Sequence, residues 1–114
     1  MLNKEIIYAV LIFFFNNIII WFQLNGQLFS NTWKGNTGLL ITLLMGIPIT
    51  YLFWIATKLG YVGFGNLWAV RFLGFATSMI TFPFLTYFFL GEPMGLKTII
   101  TLGLAIIIML LQLL

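Results

Sequence analysis

Two carboxylates, five basic side chains and no histidine or cysteine are all the ionisable chemistry this sequence offers beyond its tyrosines. The absence of histidine and cysteine removes thiol nucleophiles, disulfides and the usual zinc and haem arrangements, so no metal and no cofactor is expected. Glu5 and Glu92 stand far apart in the sequence and at the ends of apolar runs, which leaves no carboxylate pair for acid and base catalysis. An enzyme has no residue to recommend it. The formal charge of +3 could suggest nucleic acid, but Lys4, Lys34, Lys58, Arg71 and Lys97 occur one by one and form no patch. What remains is binding chemistry at three positions. Arg71 lies inside the apolar stretch from Leu67 to Glu92, and Asn16 and Asn17 lie side by side inside another. A guanidinium is a rigid fork of donors that matches carboxylate and phosphate groups.

These residues are informative because of where they sit. With 62% hydrophobic and 6% charged residues, against about 45 to 50% and about 25% in an ordinary globular domain, the composition predicts an integral membrane protein. Four apolar runs, at about residues 6–24, 37–57, 67–90 and 96–114, predict an all-α domain of four transmembrane helices with short loops, spanning residues 1–114. Leu67 to Leu90 would make about 36 Å of helix, against a hydrocarbon core of about 30 Å. An arginine at the centre of such a helix costs about 2.5 to 3.5 kcal/mol on insertion scales, so Arg71 either snorkels to the interface or faces a protein interior. Each buried amide also costs free energy unless hydrogen-bonded, and neighbours in a helix point about 100° apart, so at most one of Asn16 and Asn17 addresses a given partner helix. Interhelical glue and a polar ligand site both satisfy that requirement.

The first run lacks a small-x-small cleavage site and reads as a retained helix rather than a leader. Asn25 to Asn36 is the longest loop, with Trp33 and Lys34 at the expected headgroup level. Gly46 and Pro48 mark a bend in the second run. Lys58 to Asn66 (KLGYVGFGN) reads as a turn, and its glycines do not have the spacing of a nucleotide-binding loop. In the third run Gly74 and Ser78 form a small-xxx-small pair suited to close helix packing, while Pro83 either kinks the helix or divides it into two working segments. Gly103 is the small residue of the fourth run.

Leu59-Gly60-Tyr61 before the third run and Phe89-Leu90-Gly91-Glu92-Pro93 before the fourth resemble the drug/metabolite transporter superfamily. The size is similar to its half-length branch, which holds the small multidrug resistance transporters and a related uncharacterised four-helix family. The latter is the nearer resemblance, through Asn16-Asn17 followed by an aromatic and through Asn25-Gly26-Gln27-Leu28. The specific part runs from Lys58 to Lys97. This resemblance implies the fold, a bacterial inner membrane and a homodimer that can be antiparallel. Proton-coupled members carry a glutamate in the first helix where this chain has Asn16 and Asn17, which do not titrate near neutral pH. The expected function is therefore a transporter-like protein that binds a lipid or a small amphiphilic or anionic molecule between helices, in the groove between protomers, with Asn16, Asn17, Trp21, Trp68 and Arg71 as ligand-binding residues. The competing class is an accessory subunit of a larger membrane complex.

Four spans would place Lys4 and Lys58 on one side and Lys34 and Lys97 on the other. Such a balance gives the positive-inside rule nothing to act on except Arg71, and predicts insertion in both orientations. A unique cysteine introduced as Asn31→Cys should therefore label partially with an impermeant reagent in intact cells and completely on lysis. All-or-none labelling of intact cells would mean one fixed orientation.

Overall fold

The computed structural model describes residues 3–114, which are helical with no strand among them. Helix α1 spans Lys4–Asn25. It starts where Asn3, in extended conformation, accepts the Ile6 N–H on its side-chain oxygen at 3.0 Å, satisfying one of the amide groups a helix start leaves free. A short 3-10 turn at Gly26–Leu28 and another at Asn31–Trp33 carry the chain over to α2, Gly35–Phe64. This connection folds back on itself. A Cβ at Gly26 would lie 2.6 Å from the Trp33 ring, and one at Gly38 would collide with the Trp33 carbonyl, so both positions are held by glycine for closeness of approach.

The 30 residues of α2 make about 45 Å of helix, matching the longest dimension of the molecule, 45 Å. Pro48 sits inside it without ending it. The expected turn at Lys58–Asn66 is corrected here: α2 continues to Phe64, and only Gly65 and Asn66 lie between it and α3, Leu67–Leu85. Two of the glycines taken as turn residues work inside the helix. Gly60 would place a Cβ 3.0 Å from Val70, and Gly63 would run into Ile6, so their bareness lets α2 lie close to α3 and α1. Gly65 alone has turn geometry, at φ +79° with its N–H on the Tyr61 carbonyl. Asn66 then caps α3, its side-chain oxygen accepting the Ala69 N–H at 2.9 Å.

Pro83 does not stop α3 at once. The α-helix runs to Leu85 and passes into a π-helical segment, Thr86–Leu90, which ends at Gly91 with φ +69°. Helix α4, Leu96–Leu113, follows. All four helices, counting Leu67–Leu90 as one, are long and apolar enough to cross a membrane. They form a slab of 45 × 35 × 18 Å in which α1 packs on both α2 and α3, and α4 lies mainly on α3. Phe13, Ala56, Val70 and Leu73 make the core where α1, α2 and α3 meet, and Met109 of α4 reaches it. The rest of α4 is half-buried against α3 on one side and exposed on the other: Ala105 is its one buried residue, and a Cβ at Gly103 would meet nothing within the chain.

The two kinds of glycine should respond oppositely. Gly60→Val must push α2 from α3, and overpacking of this kind costs about 1 to 3 kcal/mol, read as a lower unfolding midpoint in detergent. Gly103→Ala meets nothing in the chain and gains helix propensity of about 0.8 to 1 kcal/mol, so stability should hold or rise. A loss on Gly103→Ala would show that another chain packs there.

Candidate ligand-binding groove

The adjacent amides of α1 divide between its two neighbours, as their angular separation requires. Asn16, fully buried, donates from Nδ2 to the Ile49 carbonyl of α2 at 3.1 Å, one residue past Pro48; its Oδ1 has no partner among the described residues. Asn17, 3% exposed, donates to Thr77 Oγ1 of α3 at 2.9 Å. Thr77 in turn donates to the Gly74 carbonyl, and Thr81 donates to the Thr77 carbonyl, so the polar groups on this face of α3 are satisfied along the helix itself. Lower on α1, Gln23 and Thr42 of α2 exchange side-chain to backbone bonds at 3.0 and 3.4 Å.

Trp21 belongs to a third contact. Its indole N–H donates to Thr86 Oγ1 in the π segment at 3.0 Å, and its ring stacks on Phe29 and lies against Phe22 and Phe89, with centroids 5.2 to 5.8 Å away. This cluster ties the end of α1 and the first connection to the irregular end of α3. Edge and stacked aromatic pairs add about 0.5 to 1.5 kcal/mol each beyond area burial.

Between α1, α2 and α3 lies a groove of about 600 Å³, within the usual range for small-molecule sites. Its walls are mostly apolar, with Phe13 and Ile20 from α1, Phe53 from α2 and Phe75 and Phe82 from α3. Four side chains interrupt that lining: Asn17, Thr57, Arg71 and Ser78. Arg71 is exposed, its guanidinium carbon 5.8 Å from the centre of the Phe75 ring. No ion pair joins it to a carboxylate among the described residues. Glu92 borders a separate cavity of about 320 Å³ with Pro83, Thr86 and Thr98. Lys58 lies over Trp54, 5.5 Å from the ring centre, and does not line the groove.

Of the ligand-binding residues expected from the sequence, Asn17 and Arg71 thus meet in one groove. Asn16 faces α2, Trp21 is enclosed in the aromatic cluster, and Trp68 is 74% exposed on the outer surface, stacked on Phe72. Of the expected packing residues, Gly74 lies against Phe13, where a Cβ would sit 3.4 Å from the ring, while Ser78 opens onto the groove. Pro83 precedes the π segment, and a Cβ at Gly103 would meet no neighbour. The threonines were not singled out from the sequence. Thr77 and Thr81 stand one turn apart beside Gly74 and Ser78, and that spacing is the signal that would have placed them on the α1 side. Comparison with protein-family models, with curated proteins and with solved structures gave no match.

The Asn17 to Thr77 bond should be measurable as a coupling. In a double-mutant cycle of Asn17→Leu and Thr77→Val, an interaction of about 0.6 kcal/mol, and at most about 1.7, is expected. Asn16→Leu with Thr77→Val should give none, because Asn16 addresses α2.

Proposed function

We propose that this chain is a small multi-pass membrane protein, transporter-like, that holds an amphiphile with an anionic end in the groove between α1, α2 and α3. The observation that carries the reading is the placing of Arg71, the one charged lining residue, in an otherwise largely apolar groove that also contains Asn17. An apolar cavity with a few convergent polar groups is the usual form of a ligand site, and a lone guanidinium within it selects a carboxylate or phosphate. The resemblance to half-length drug/metabolite transporters supports the same reading, together with a bacterial inner membrane and a homodimer. Asn16 and Asn17 are both engaged in holding helices together, and neither supplies the ionisable group of a proton-coupled exporter.

The exposed side of α4 favours a second reading, an accessory subunit whose α4 is covered by a larger partner. Purification separates the two: a self-contained dimer supports the transporter-like protein, and stable retention in a larger complex supports the subunit.

Binding of labelled stearate to the protein in nanodiscs of zwitterionic lipid, corrected with empty nanodiscs, tests the groove directly. Loss of a charge-assisted hydrogen bond is worth about 1.5 to 3 kcal/mol, so Arg71→Gln should weaken stearate by about ten-fold to more than a hundred-fold. Stearyl alcohol should change less than about two-fold, since it makes no charged contact. Equal response of acid and alcohol, or no saturable binding of either, would overturn the reading.

A further inference from the structure

Arg71, Gly74 and Ser78 lie along one face of α3, and all three line the groove. Seven residues are nearly two full turns, so Ser78 stands about 10 Å further along the same face than Arg71. Gly74, between them, carries no side chain that would separate a ligand from the helix. Opposite this strip is Asn17, almost fully buried, with Nδ2 committed to Thr77 and no hydrogen bond to its Oδ1 among the described residues. Ser78 Oγ likewise has no partner there, although a serine in a helix commonly turns back onto its own backbone, as Thr77 and Thr81 do. Asn17 and Ser78 both line the groove beside Phe13, Ile20 and Phe82, where a polar group entering it can bond them.

Resting on the anionic-amphiphile reading above, we infer that the ligand is a single-chain anion with a hydroxyl group part-way along its chain, the anion on Arg71 and the hydroxyl between Ser78 and Asn17. A hydroxyl both donates and accepts, so one group answers the Asn17 carbonyl oxygen and the Ser78 hydroxyl together. The charge is single because the groove has one cation and no carboxylate. A second negative charge, or a zwitterion's ammonium group beside Arg71, would have no partner there. One chain suffices because about 600 Å³ is the space of one compact ligand rather than of a two-chain lipid.

The experiment compares mid-chain hydroxystearate, stearate and a two-chain phosphatidylglycerol as competitors of labelled stearate in the nanodisc assay. Hydroxystearate should bind about five-fold more tightly than stearate, as one net hydrogen bond allows, and phosphatidylglycerol more weakly than either. In Ser78→Ala the ratio of hydroxystearate to stearate affinity should fall towards one, and in Ser78→Thr it should be kept. A ratio near one in the unsubstituted protein, a ratio indifferent to Ser78→Ala, or tighter binding of phosphatidylglycerol would overturn the inference. Arg71-dependent stearate binding would still stand in those cases; its absence would remove the anionic-amphiphile reading itself.

Discussion

Two neighbouring amides in an apolar helix cannot both point the same way, and the arrangement of this chain follows from that constraint. About 100° apart on α1, Asn16 and Asn17 need two different partners, and they find one on α2 and one on α3. Helix α1 is thereby fixed between the other two with a defined rotation. The same rotation turns Phe13 into the core with Val70 and Leu73, and sets Ile20 and Leu24 along the groove. Directional bonds of this kind matter here because apolar periodicity carries little information when almost every face is apolar.

Close approach supplies what the amides do not. Gly60 and Gly63 bring α2 against α3 and α1 at one end, while at the other the Trp21 cluster holds the π segment. The groove lies between these two fastenings, so its walls are anchored at both ends. Pro83 leaves the Met79 carbonyl without its usual helical donor, and further on the wider turn of the π segment shifts the register from Thr86. That shift accompanies the placing of Thr86 under the Trp21 indole.

The four apolar runs and the division of labour between Asn16 and Asn17 were legible in the sequence, because length, composition and a 100° step are sufficient to derive them. The extent of α2 was not. Glycines at 60, 63 and 65 look alike in sequence, yet two serve close contact and one a left-handed cap, a distinction that depends on which helices lie opposite. Trp21 and Trp68 show the same limit: identical side chains on apolar runs, one enclosed by three phenylalanines and the other on the outer surface. Arg71 could be flagged from its cost alone, and its meeting with Asn17 needed the packing of three helices.

The proposed role of that meeting is tested most directly by a density map of the protein crystallised from a lipid mesophase with no ligand added. Elongated density along Arg71, Gly74 and Ser78, with its head within hydrogen-bond distance of the guanidinium, is the expected result. A groove that is empty or filled by a helix of another chain, with density only on the outer faces of α2 and α4, would contradict it.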